Sequence, residues 1–147
     1  MKISTKGRYG LRALTDLAAH LEGEPVSLTS VAKRQNLSLN YLEQVFGTLR
    51  KAGIVKSIKG PQGGYLLTKA ASEITVQEIL EALEGKFSIV DADQEQAEMD
   101  AVERAIQDLV WSQIDERVNS FLSECTLSQL VEEYRQRKDG EGIMYYI

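Results

Sequence analysis

A mainly α-helical fold with one small β-hairpin is what the sequence predicts, and three observations predict it. Apolar residues recur at the three-and-four spacing of amphipathic helices over most of the 147 residues. That period breaks once, at residues 54–68, where two short β-prone runs flank a glycine-rich tip. Beyond residue 100 a long apolar stripe is broader than so short a chain needs to cover it. Hydrophobic residues make up 43% and charged residues 27% of the chain, enough apolar matter for a core, which excludes wholesale disorder.

The elements follow in order. From Ser4 to Glu22, Leu11, Leu14, Leu17, Ala18 and Leu21 mark a first helix, stopped by Gly23 and Pro25. Leu28, Val31 and Ala32 mark a short second helix that closes near Asn36. Ser38 is a good N-cap for a third, with Leu42, Val45, Phe46 and Leu49 on its buried face, Arg50 and Lys51 suiting its C-terminal dipole, and Gly53 as its stop. Ile54–Lys59 and Tyr65–Thr68 read as strands around Gly60-Pro-Gln-Gly-Gly64. Thr75-Val-Gln-Glu78 is a capping box with Ile74 and Ile79 as its staple, and a helix runs from it to about Glu84. Lys86–Glu98 is acidic and weakly periodic, a loop. A long helix spans about Asp100 to Leu122, and Thr126-Leu-Ser-Gln129, a second capping box, opens a last helix through Tyr134. The tail from Gly140 to Ile147 has no clear period. The expected division is 1–84, a unit of helices and hairpin; 85–99, an acidic loop; and 100–147, the long helix with a C-terminal segment.

Composition removes several classes of function. No apolar run approaches the roughly 18 residues of a membrane span, and MKISTKGRYG lacks the apolar stretch of a secretory signal. A single cysteine excludes an internal disulfide and points to the reducing cytoplasm. The single histidine, His20, excludes zinc sites that need two. No nucleophile–base pair, phosphate loop or metal set is visible, so no enzyme, catalytic residue or metal ligand is expected. The net charge of −5 conceals a split: residues 1–69 carry 11 basic against four acidic residues, +7, and residues 70–147 carry six against 18, −12. A basic half suits a polyanion partner, although two solvated faces of unequal composition would give the same numbers.

Helix, short helix, turn, helix, hairpin is the order of a winged helix-turn-helix with a two-stranded β wing, followed here by a long dimerisation helix. In such a unit the third helix is free to enter a major groove. The buried stripe of this one leaves Asn40, Tyr41, Glu43, Gln44, Gly47 and Thr48 facing away from the core. Asn and Gln can pair with adenine through two hydrogen bonds, and Glu can accept from cytosine N4, so Asn40, Tyr41, Glu43 and Gln44 form the candidate base-reading set. The same pattern also fits a plain solvent face. At the hairpin, Lys56 and Lys59 flank a small rigid tip, Gly60, Pro61, Gln62, Gly63 and Gly64, shaped to lie along a minor groove. An ordinary turn has the same composition, whereas a nucleotide loop would join strand to helix. Lys2, Lys6, Arg8 and Arg12 gather at the start of the first helix, where phosphate is favoured. With Lys33, Arg34, Thr48 and Arg50, the residues Lys2, Lys6 and Arg8 make up the candidate phosphate contacts.

Four segments make a resemblance specific: Ile3-Ser-Thr-Lys-Gly-Arg-Tyr9, Leu37-Ser-Leu-Asn-Tyr-Leu-Glu-Gln44, Leu49-Arg-Lys-Ala-Gly53 and Lys59-Gly-Pro-Gln-Gly-Gly-Tyr65. They resemble the signature segments of the Rrf2 family of bacterial winged-helix transcriptional regulators, closely over residues 1 to about 85 and again at Thr126–Leu130. The resemblance implies a dimeric DNA-binding transcription factor with Asn40, Glu43 and Gln44 in base-reading positions. Position 59 is Lys, which lacks the planar fork of the Arg that IscR-like members carry there for minor-groove contact. The closing Met144-Tyr-Tyr-Ile147 is more like the CymR branch.

One departure is more informative. Members with a [2Fe–2S] cluster place three cysteines in the loop after the fourth helix; here Lys86–Glu98 has none, so no cluster and no other cofactor is expected. Cys125 reads better as a staple residue packing towards Leu130 than as a redox switch, His20 as a cap or surface residue, and Trp111 as a packing residue. The stripe Val102, Ile106, Leu109, Val110, Ile114, Val118 and Phe121 is expected to pair with its twin across a two-fold axis, with the last helix packing against the neighbouring unit. Two recognition helices about 34 Å apart, or a multiple of that, would then read a partly palindromic site on double-stranded DNA. The alternative is a protein-interaction module whose main partner is a metabolic enzyme, reached through Tyr145 and Tyr146, with DNA binding secondary. A small effector is a further candidate partner, and no membrane is.

Overall fold

The computed structural model describes residues 2–90 and 98–145. Helix α1 (Thr5–Ala19) begins where Ser4 Oγ accepts from the Gly7 amide at 3.0 Å. It ends earlier than the apolar spacing suggests. The amides of His20 and Leu21 reach back only three residues, to Leu17 and Ala18, and tighten the chain into a turn before Gly23. Helix α2 (Leu28–Gln35) is capped by Ser27 and closed by Asn36 in the left-handed conformation, φ 54°. Ser38 caps α3 (Leu39–Lys51), with Tyr41 N donating to its hydroxyl at 3.3 Å. Gly53, at φ 80°, then allows a complete Schellman ending: Gly53 N donates to Arg50 O and Ile54 N to Leu49 O, both at 3.0 Å.

Strands β1 (Val55–Ile58) and β2 (Gly64–Leu67) pair antiparallel, Val55 opposite Leu67 and Ile58 opposite Gly64. A contact absent from the sequence reading extends this hairpin. Val26, in the link between α1 and α2, exchanges two backbone hydrogen bonds with Tyr65, at 3.0 and 2.8 Å, and so ties the wing to the base of the three-helix unit. Gly64 makes room for it, since a Cβ there would lie 2.3 Å from Val26 O.

After a 3₁₀ turn (Ala71–Glu73), Thr75 caps α4 (Val76–Glu84) between the fully buried Ile74 and Ile79. The capping box here is half formed. Glu78 N donates to Thr75 Oγ1, but the Glu78 carboxylate turns to Lys69 Nζ at 3.0 Å. The second box is complete: Thr126 N donates to Gln129 Oε1 and Gln129 N to Thr126 Oγ1. The long helix runs as α5 (Ala101–Ile106), a π-helical turn (Gln107–Trp111) and α6 (Ser112–Glu124), with right-handed backbone angles at both junctions.

Helix α7 (Leu127–Tyr145) departs from expectation twice. It continues well past Tyr134 and takes up most of the tail. Residues 135–141 are exposed and carry no apolar stripe, while a Glu133–Arg137 pair at 2.9 Å and Lys138 over the Tyr134 ring support the helix locally. It also packs on α1 of its own chain. Leu127 and Val131 join the core of Leu14, Leu17, Leu42, Phe46 and Leu49, and Arg135 donates to Ala19 O at 2.8 Å. The starts of α4 and α7 are stitched by Val76 N to Cys125 O and Leu127 N to Ile74 O, both 2.8 Å. A boundary at residue 100 therefore separates off the long helix but not α7.

Candidate nucleic-acid interface

Helix α3 buries Leu42, Val45, Phe46 and Leu49, and that stripe turns the exposed Asn40, Glu43 and Gln44 outward together. Tyr41 is a correction. It stands one turn before Val45, at the edge of the buried stripe, and its half-buried ring meets Tyr9 of α1 edge-on at 6.4 Å. Arg8 lies over the other end of this pair, 5.5 Å from the Tyr9 ring centre, so Tyr41 helps fix α3 on α1. Thr48 is half-buried and spends its hydroxyl on Gln44 O, at 3.2 Å. Gly47 has nothing near a would-be Cβ, which leaves the middle of the helix open to close approach.

The wing stands beside this face. Lys56, Lys59, Gly60, Pro61 and Gln62 are exposed, and Gly63 and Gly64 are half-buried. Gly63 N closes the tip on Gly60 O at 2.9 Å, and a Cβ on Gly63 would come within 2.1 Å of Ile58 O. Between wing and helix lies a cleft lined by Ser27, Thr29, Glu43, Arg50, Gly64 and Tyr65. The α2 N-terminus, the α3 face and the wing base thus share one surface.

The candidate phosphate contacts divide. Lys2, Arg8, Lys33 and Arg50 are exposed and Lys6 half-buried. Arg34 is committed elsewhere: its Nε and Nη2 grip the fully buried carboxylate of Asp16 at 2.7–3.1 Å, and Gln35 Nε2 adds a bond at 2.7 Å. The sequence signal for this was an aspartate on the apolar side of α1, between Ala13 and Leu17. His20 Nδ1 also belongs to this corner, donating to Asp16 O at 2.7 Å. The α1 N-terminus is no open phosphate site either. The Glu84 carboxylate accepts from Ser4 N and fills the space over Gly7, whose missing side chain lets it in.

The long helix carries the other candidate surface. Leu109 is 77% exposed, Val102 66% and Phe121 63%, and Ile106 and Val110 are also open. Ile114 and Val118 are half-buried, on the stretch of α6 that packs against α4, so the expected stripe is shared between two faces. The π turn, held by Gln107 Nε2 to Ser112 Oγ at 3.1 Å, inserts one residue and so shifts the stripe by about 100° between them. Trp111 is half-buried.

The root of the acidic loop is tied to α6. Asp115 Oδ1 accepts from Ile89 N at 2.8 Å, and Asn119 Nδ2 donates to Phe87 O at 3.3 Å. Residues 91–97 of that loop lie outside the described residues, as does Tyr146, while Tyr145 closes α7. An iron–sulfur cluster in this loop would need thiolates, and the residues present do not fit one. Cys125 is the sole cysteine. Its backbone is bonded at the start of α4, and the loop leaves from that helix's far end, nine residues or about 13 Å away. Among the described residues no helix is long and apolar enough to cross a membrane.

Comparison with known proteins agrees with this architecture. The family described as "Rrf2: Iron-dependent Transcriptional regulator" matches residues 3–133. The HTH-type transcriptional regulator IscR of Serratia proteamaculans is 41% identical over 133 residues, covering 89% of this chain and 79% of that protein. The structure of CymR, the global cysteine regulator of B. subtilis, superposes with a TM-score of 0.77 at 41% identity, over 90% of this chain and 98% of that one. That of T. potens IscR gives 0.73 at 38% identity, over 99% and 97%. A helix-turn-helix with a tied wing, matched over nine-tenths of its length, places this chain in the Rrf2 family of transcriptional regulators.

Proposed function

We propose that this regulator acts by binding a partly palindromic duplex as a homodimer, without a [2Fe–2S] cluster and without catalysis. The observation that carries the reading is the joint exposure of Asn40, Glu43 and Gln44 on α3, next to a lysine-bearing wing on the same surface. Asn40 and Gln44 offer paired donor and acceptor groups to adenine, and Glu43 an acceptor to cytosine N4. Lys6, Arg8, Lys33, Arg50 and Lys59 supply phosphate contacts and most of the affinity; Arg34, held by Asp16, orients α2 instead. The open apolar face of Val102, Ile106, Leu109, Val110 and Phe121 pairs with a second copy. The acidic half of the chain, which carries that face, stands away from the duplex.

Selecting bound fragments from random duplex DNA tests the reading. Recovery of an inverted repeat, with half-sites one helical turn or a multiple apart, is the expected result. Fragments with no shared sequence would overturn it. Anaerobically purified protein should carry no stoichiometric iron and sulfide and no visible cluster absorbance; their presence would overturn the cluster-free part.

A further inference from the structure

The groove between α1 and α7 has a use that neither the α3 face nor the wing absorbs. It encloses about 370 Å³, within the range of roughly 300–1,000 Å³ usual for small-ligand sites. One wall is apolar, made by Leu11 of α1 with Leu130 and Tyr134 of α7; the other carries Arg8 and Arg12, one turn apart on the same face of α1. Neither arginine has an acidic partner among the described residues. Asp16 also lines the groove, but its carboxylate is saturated by Arg34 and Gln35. Arg12 commits Nε to Gln35 Oε1 at 2.7 Å, and its terminal amino groups have no hydrogen bond among the described residues; Arg8 approaches Thr5 Oγ1 at 3.5 Å and lies over the Tyr9 ring.

Two like charges one turn apart repel, and they face an apolar wall across a ligand-sized space. An anion with a planar two-oxygen head answers the guanidinium forks, and a hydrocarbon body answers the wall. We propose that this groove binds a small organic carboxylate, its head on Arg12 and its apolar body against Leu130 and Tyr134. Occupancy has a short path to the recognition helix. Arg12 holds Gln35, and Gln35, the last residue of α2, holds Asp16 and stands three residues before the Ser38 cap of α3. That consequence rests on the DNA reading above; the binding does not.

The test titrates the isotope-labelled full chain, without DNA, with phenylacetate, its neutral amide phenylacetamide, and inorganic phosphate, followed by NMR. Phenylacetate should give saturable shifts at Leu11, Leu130 and Tyr134, at least tenfold tighter than either comparison compound. Arg12→Gln and, independently of the polar chain, Leu130→Asp should each weaken it at least tenfold while the remaining spectrum stays dispersed. Equal response to the amide would remove charge recognition and overturn the proposal. Phosphate binding as tight as phenylacetate would make this a bare anion site of the kind a DNA backbone fills, and would overturn it too, as would no saturable shift at all. Because DNA is absent, failure here leaves the operator reading standing, and failure of the operator reading leaves this one standing.

Discussion

Residues 5–84 and 101–124 carry similar apolar stripes, yet the structure treats them in opposite ways. In the first region Leu14, Leu17, Leu42, Val45, Phe46, Leu49, Ile74 and Ile79 are fully buried, and four α-helices and a hairpin close on one another. In the second no residue is buried, and several large apolar side chains, Leu109 and Phe121 among them, stand in solvent. Periodicity thus states that a face is apolar without stating what covers it. The first region is covered within this chain, with Leu127 and Val131 of α7 completing its core; the second stays open, and the proposed second copy would cover it. Covering five such side chains on each of two copies is worth on the order of 10 kcal/mol, comparable with the roughly 4–15 kcal/mol that association costs. The proposed contact would therefore form only when most of the face is covered at once.

The sharpest way to break this contrast is a charge at the centre of the open face. Leu109→Asp should weaken the dimer at least a hundredfold, about 3 kcal/mol, in sedimentation equilibrium, while the melting of the winged unit stays near wild type. If the variant unfolds instead, the face belongs to this chain's own core. Next in size is Asp16→Ala, inside the closed region. It leaves the Arg34 guanidinium, still partly open to water, and Gln35 without their partner, at a cost of about 2–3 kcal/mol in urea unfolding. A loss below about 0.5 kcal/mol would mean the corner tying α2 to α1 holds nothing.

Two smaller effects separate reading from holding within the first region. Glu43→Ala should relax preference at one base position by about 2 kcal/mol and weaken binding to other sequences much less, by quantitative gel shift on a substituted duplex series. An equal loss on every sequence would assign Glu43 no base. Lys59→Ala should lower the salt dependence of binding by about one phosphate contact. An unchanged slope would take the wing off the duplex.

What the sequence made legible was local. Ser4, Ser38, Thr75, Asp100 and Thr126 each receive an amide from three residues on, because a cap needs only its own first turn. What it concealed was non-local. The Val26–Tyr65 bridge, the Asp16–Arg34 pair and the Glu84 carboxylate over Gly7 join residues 18 to 77 positions apart, and no spacing rule announces them. Gly7 of the first signature segment and Gly10 just after it acquire their reason only here, where Glu84 and Leu83 of α4 press into the space their side chains would take. Helix α7 was concealed for another reason. Residues 135–141 are exposed, and a stretch that buries so little leaves no apolar period to find. Within the candidate interface, Asn40, Glu43, Gln44 and the wing tip lie where the pattern put them, while Tyr41 and Arg34 are drawn inward by partners on α1.

The most direct test of the paired-reader account is the stoichiometry and footprint of the complex on a selected duplex, taken together by sedimentation velocity and hydroxyl-radical cleavage. Two chains per duplex, protecting two half-sites related by a dyad and spaced by whole helical turns, is the predicted result. One chain bound to one unrepeated site would contradict it.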